Sequence, residues 1–319
     1  MTAPNEYQHI EIGGIMLKSV LITGANAGLG KESAKQLAKQ SGVKKIYLGC
    51  RNLEKARAAK QELEKETGRD IFEILLIDVS NLDSVRAAVK TLKEPVEGLV
   101  MNAGGTGGKE FNAHTPDGVT NIFAVNLLGH VLLTEELIKA EKLTKVALYA
   151  GSEAARGVTE MGMKRPELKA NSVDEFASIC NGVFYGETKD ATVPYGPIKY
   201  MAAMWMSSMA REYTNIRFVT MSPGATTGTE GFNTLSPVKQ YVMKGMMKVM
   251  LMLGKVHKLE VGAKRFVDGL MDTTYKTGVF YASQKGLTGP IGEQGVLFAD
   301  LYNTTFQDNA REAIQRFIK

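Results

Sequence analysis

The sequence predicts an α/β protein built on a doubly wound parallel sheet. Three observations carry the prediction. From residue 18 onward, short apolar runs alternate with amphipathic helical runs. The first apolar run, SVLIT, leads through a glycine-rich turn, TGANAGLG, into a helical pattern. No internal repeat or flexible linker interrupts the alternation. Apolar strands joined by helices form right-handed βαβ units, which assemble into one parallel sheet.

The elements follow in order. SVLIT reads as a buried strand and GKESAKQLAKQ as its helix. KKIYLGC (strand), NLEKARAAKQELEKE (helix), FEILLIDVS (strand) and NLDSVRAAVKTLK (helix) continue the pattern. EGLVMNAG is the next strand, DGVTNIFAVNLLGHVLLTEELIKA a long helix, and KVALYAGS a further strand. A helix carrying Tyr195, the strand RFVTMSPG and a closing strand GVFYAS complete the set. Three segments break the rhythm: GGTGGKEFNAHTPDG, an insertion over 153–194 with Pro166 and a short helix at SVDEFASIC, and a Met- and Lys-rich stretch over 236–260 within an expected substrate lid at 230–260. All three follow strand C-termini, the edge where open α/β sheets bind ligands. Long loops there are expected to shape a substrate site. The whole chain, 1–319, reads as one domain with 1–17 as an N-terminal extension.

Composition narrows the function classes. At 44% hydrophobic and 23% charged the chain is ordinarily globular, and a net charge of +5 is too mild to imply nucleic acid. Cys50 and Cys180 make no disulfide framework, which fits a reducing, cytoplasmic setting. His9, His114, His130 and His257 are scattered without metal-ligand spacing. The N-terminus is polar and lacks a signal-peptide apolar region. No apolar run approaches the roughly 18 residues that span a bilayer.

The chemistry-bearing residues cluster at strand ends. Gly24, Gly28 and Gly30, with Asn26, Ala27 and Leu29 between them, give a G-x-x-x-G-x-G turn between strand and helix. Such a turn lets a pyrophosphate approach the backbone at a helix N-terminus, so a dinucleotide is expected; the plain alternative is a turn without a ligand. The second strand ends in Cys50, Arg51 and Asn52, where an NAD site carries an acid. A guanidinium suits a 2′-phosphate, so NADP(H) is expected; otherwise Arg51 merely opens a solvated helix. Asp78 and Val79 end the third strand, at an adenine edge or capping the next helix. Asn102, Ala103 and Gly104 end the fourth, where small residues allow close packing on a cofactor. Tyr195 and Lys199, four apart, share a helix face. An adjacent ammonium favours the phenolate, which predicts an acid/base tyrosine.

TGANAGLG, MNAGG, VNLLGH, AGS, YGPIK and SPG occur in the order found in short-chain dehydrogenases/reductases, which the chain resembles from about residue 18 to 285. The resemblance implies a Rossmann fold with seven strands, and nicotinamide-dependent oxidation or reduction of an alcohol or carbonyl. It implies Tyr195 as proton donor and acceptor, and Lys199 as lowering its pKa and holding the nicotinamide ribose. Ser152 would bond the substrate oxygen, and Asn126 would support a proton-relay water and Lys199. Pro223 and Gly224 would lie beside the nicotinamide. Thr229 would hold the carboxamide, although the family's usual position falls on Gly228 here. Within the family, the chain resembles retinol-dehydrogenase-like and protochlorophyllide-reductase-like members. It has Ala225 where the light-dependent reductases carry a cysteine.

Residues 238–253, VKQYVMKGMMKVMLML, with Lys244 and Lys248 sharing a polar stripe with Lys255 just beyond, suit a lid over a bulky apolar substrate. Peripheral membrane contact and plain core are the alternatives. Met201, Met204, Trp205, Met206 and Met209 crowd one helix, which suits a homo-oligomer interface or an intramolecular core. A non-catalytic NADP(H)-binding regulator and a reductase of an activated C=C bond are the competing functional readings.

Overall fold

The computed structural model describes residues 14–159, 164–227 and 250–318. Thr229, Lys244, Lys248 and most of the expected lid lie outside them.

The strands are β1 (Ser19–Thr23), β2 (Lys45–Cys50), β3 (Phe72–Leu76), β4 (Val96–Met101), β5 (Leu143–Ala150), β6 (Arg217–Met221), β7 (Val279–Ser283) and β8 (Ile291–Glu293). They form one sheet in the order β3-β2-β1-β4-β5-β6-β7-β8. Pairing is parallel through β7, as in Leu21 opposite both Tyr47 and Leu99. β8 pairs antiparallel, with Tyr281 opposite Glu293. Among the described residues the sheet therefore has eight strands where seven were expected. β8 is three half-buried residues, IGE, too short to show a hydrophobic period.

The helices are α1 (Gly28–Ala38), α2 (Leu53–Thr67), α3 (Leu82–Thr91), α4 (Asn121–Lys139), α5 (Val173–Cys180), α6 (Thr192–Glu212), α7 (Leu259–Met271) and α8 (Thr304–Gln315). Asn52, Asn81, Ser172 and Asn303 cap α2, α3, α5 and α8 by accepting from backbone N–H groups of the first turn. α1, α2 and α7 cover one face of the sheet; α3, α4, α6 and α8 enclose the core on the other. Because β1 lies between β2 and β4, the chain reverses direction across the sheet there. That opens a crevice at the strand C-termini.

Two helices revise sequence expectations. α4, at 19 residues and mean hydropathy 1.3, is long and apolar enough to cross a membrane, but 72% of it is buried in the protein, so it is a core helix. Its turn over Ala124–Leu128 is a π-helix. On α6, Met201, Met204, Trp205, Met206 and Met209 are all buried within the chain, where α8 packs against the helix. Those side chains fill the core rather than face a second subunit.

Candidate active site

The strand C-termini enclose a cavity of about 860 Å³. The end at the glycine turn is made largely of backbone. Gly24 has φ +65°, which a side chain would strain, and a Cβ there would lie 3.1 Å from the Ala103 Cα. Gly30 lies behind the lining, where a Cβ would meet the Gly24 carbonyl at 2.4 Å. Asn26, Ala27, Gly28 and Leu29 line the cavity directly. α1 begins with no side-chain cap and no acid in its first turn, so its leading N–H groups and positive dipole end remain available to an anion.

Arg51, Asp78, Val79, Asn102, Ala103 and Gly104 also line the cavity. Arg51 is exposed, and no described residue pairs with it. Asn52 does not line it, because its side chain caps α2 through the Lys55 N–H. Asp78 accepts from the Ser80 N–H and hydroxyl, while Asn81 caps α3. Asn102 donates to the Thr23 carbonyl at 2.9 Å and ties β4 to β1 below the glycine turn.

The other end is made of side chains. Ser152 follows β5 and caps a short 3-10 turn over Glu153–Arg156. Tyr195 and Lys199 come from the first turns of α6, whose entry Asp190 fixes by accepting from the Thr192 N–H and hydroxyl. A Cβ on Gly196 would lie 2.8 Å from the Ala154 carbonyl, so glycine there lets α6 approach the turn that carries Ser152. Ser152, Tyr195, Lys199, Pro223 and Gly224 all line the cavity. So does Thr226, whose hydroxyl donates to the Gly224 carbonyl; it lies three residues from the expected Thr229.

Lys199 is 4% exposed, and its Nζ donates to the Ala150 carbonyl at 2.8 Å. Burial pulls it down to about 7. Burial pushes Tyr195 up to about 12, opposed by the Ser152 hydroxyl and reinforced by the Glu153 charge. In the protein alone, desolvation of the phenolate thus sets the direction, opposite to the lowering expected from an adjacent ammonium.

Asn126 does not line the cavity. It is fully buried in the π turn, where its amide accepts from the Gly105 N–H and donates to the Gly105 and Ile122 carbonyls. It braces the glycine loop after β4.

Sequence reasoning missed Glu153 and Arg265. Both are buried, 4.0 Å apart. Glu153 also accepts from the Ser222 hydroxyl at 2.5 Å and the Ser283 N–H at 3.0 Å. Arg265 reaches the Ser283 hydroxyl, His257 and the Gly289 carbonyl. This network fastens the turn after Ser152 to β6, β7 and α7. Glu153, standing directly after AGS, was the available sequence signal.

The family of short chain dehydrogenases matches residues 18–147. A chloroplastic protochlorophyllide reductase of Pisum sativum is 30% identical over 292 residues, 83% of this chain and 69% of the relative. Retinol dehydrogenase 13 of Homo sapiens is 39% identical over 124 residues, only 38% of this chain and 36% of the relative. Among solved structures, L-sorbose reductase from Gluconobacter frateurii, complexed with NADPH and L-sorbose, superposes with a TM-score of 0.64 at 18% identity. It covers 88% of this chain and 99% of that one, a likeness of fold.

Proposed function

This chain belongs to the short-chain dehydrogenase/reductase family, and we propose that it is an NADP(H)-dependent oxidoreductase. It would act between nicotinamide and the alcohol or carbonyl of a bulky, largely apolar small molecule. The observation that carries this reading is the convergence of Ser152, Tyr195 and Lys199 with the uncapped start of α1 on one cavity.

The residues present suit the cofactor. The glycine cradle and α1 N-terminus would take the pyrophosphate, and Arg51 a 2′-phosphate. Lys199 would hold ribose hydroxyls, and Pro223, Gly224 and Thr226 would border the nicotinamide. When bound, NADP(H) supplies or accepts the hydride.

Ser152 and Tyr195 hold the substrate oxygen. In reduction, Tyr195 gives its proton to that oxygen as the neighbouring carbon gains the hydride; in oxidation it takes the proton back. The phenol is protonated near neutral pH, so it has a proton to give in reduction. As Lys199 gains a proton, its charge pulls the phenol back down and eases the transfer. The two buried free thiols suit a cytoplasmic, reducing setting.

The test is NADPH oxidation by purified protein across apolar aldehydes, ketones and enones, with NADH in parallel. NADPH-dependent turnover supports the reading; failure to bind NADPH contradicts it. The match to most of a protochlorophyllide reductase favours a second reading, reduction of an activated C=C bond. Product analysis separates a new alcohol from a saturated C–C bond.

A further inference from the structure

Lys199 has three N–H donors and a buried position, so each donor needs an acceptor. The Ala150 carbonyl takes one. A second goes to the Tyr149 hydroxyl at 3.2 Å. That hydroxyl donates in turn to the Asn126 carbonyl at 2.7 Å, so it presents a lone pair to the lysine. The Asn126 carbonyl belongs to the π turn of α4 and also receives His130 Nδ1 at 3.1 Å. The far nitrogen of His130 meets the Thr23 hydroxyl at 3.0 Å, at the end of β1. Tyr149, Asn126, His130 and Thr23 are all fully buried. The tyrosine ring lies beneath the ammonium as well, 4.6 Å from Nζ to its centroid.

The chain of bonds has a direction. From Lys199 it runs through one hydroxyl and stops at a carbonyl, which holds no proton to pass on. Its third donor is left for the cavity, towards Tyr195, whose ring centroid is 5.4 Å away.

We propose that Tyr149 is a positioning residue of this site. Its hydroxyl, braced by the π-turn carbonyl, fixes the Lys199 ammonium and closes its inner side, so that Lys199 exchanges its proton only towards the cavity. This extends the reading of Lys199 as part of the reaction centre. The ionisable groups around the lysine are Tyr149 from β5, Tyr195 on its own helix, His130 from α4 and, beyond Tyr195, Glu153. His130 is held neutral by burial and does not compete near neutral pH.

The test is a ¹⁵Nζ NMR titration of Lys199 in the full chain without nucleotide, assigned by the signal lost in Lys199→Met. Tyr149→Phe keeps the ring and deletes the acceptor, so the lysine midpoint should fall by about one pH unit, tenfold in proton affinity. Tyr200→Phe removes another buried hydroxyl, one bonded to Asn171 at 3.3 Å, and should leave the midpoint in place. An unmoved midpoint in Tyr149→Phe, or an equal shift in Tyr200→Phe, overturns the proposal. Should Tyr149→Phe not fold, the unaltered protein labelled with ¹³Cζ-tyrosine decides. The Tyr149 resonance should then move through the lysine's midpoint, and a flat trace contradicts the proposal. These titrations need no substrate, so they stand even if the dehydrogenase reading fails. If turnover is found, Tyr149→Phe should lower kcat about tenfold with KM within about twofold. The reverse pattern, KM raised at unchanged kcat, would overturn the assignment.

Discussion

The two ends of the cavity are made of different materials. At the ends of β1 to β3 the surface is largely backbone and glycine, with Arg51 as the one cation among the described lining residues there. At the ends of β5 and β6 it is largely side chains, and the buried charges there and directly behind them are held by partners distant in sequence. Glu153 bonds to Ser222 and Ser283, and Lys199 to Tyr149 and Ala150. A surface of backbone is specified by where side chains are missing, and that is a local matter. A surface of buried charges is specified by networks, and each member leans on the rest.

The contrast is open to breakage, first at the network. Glu153→Ala leaves Arg265 buried without its carboxylate and should cost about 3–5 kcal/mol in urea unfolding. A loss below about 1 kcal/mol would show that the end carrying Ser152 and Tyr195 does not depend on buried charge in this way.

His130 tests the same region by pH. Burial draws it down to about 4, against an ordinary 6.5. Between those values the unfolded chain binds a proton that the folded chain refuses, so stability falls as pH falls through that window. The loss should be on the order of 3 kcal/mol from pH 6.5 to 4, and His130→Gln should remove that slope from the unfolding curves. An identical slope in the variant would assign it to other groups.

At the backbone end the effects are smaller on stability and larger on binding. Gly24→Ala places a Cβ at φ +65°, which should cost about 1–2 kcal/mol and weaken nucleotide binding at least about tenfold. Nucleotide affinity that survives the substitution would mean the cradle is elsewhere. The mildest change is Arg51→Ala. NADPH affinity should fall about tenfold, roughly 1.4 kcal/mol, with NADH within about twofold, as read by fluorescence titration. Equal losses for both nucleotides would contradict a 2′-phosphate role.

The same contrast decides what could be read in the sequence. The glycine turn, the alternation and the Tyr195–Lys199 spacing are short-range patterns, and they point to the cavity and to about half of its lining. Asn52 was drawn in by position alone, whereas its short amide serves better as a helix cap. Tyr149 sits in a strand buried on both faces, where every residue reads as core, so nothing local marks its hydroxyl. Arg265 lies on a helix more than a hundred residues beyond the carboxylate it faces. The Met-rich face of α6 was ambiguous because a helix presents the same stripe to a partner or to its own chain. The C-terminal helix α8 supplies the covering.

The most direct test of the separation pairs binding with chemistry in one variant. Tyr195→Phe should bind NADPH with a Kd within about twofold of the parent, because the cradle is backbone. Single-turnover hydride transfer should fall about 10² to 10⁴-fold, because the proton is gone. Turnover that persists in the variant, or affinity and rate that collapse together, would contradict the account.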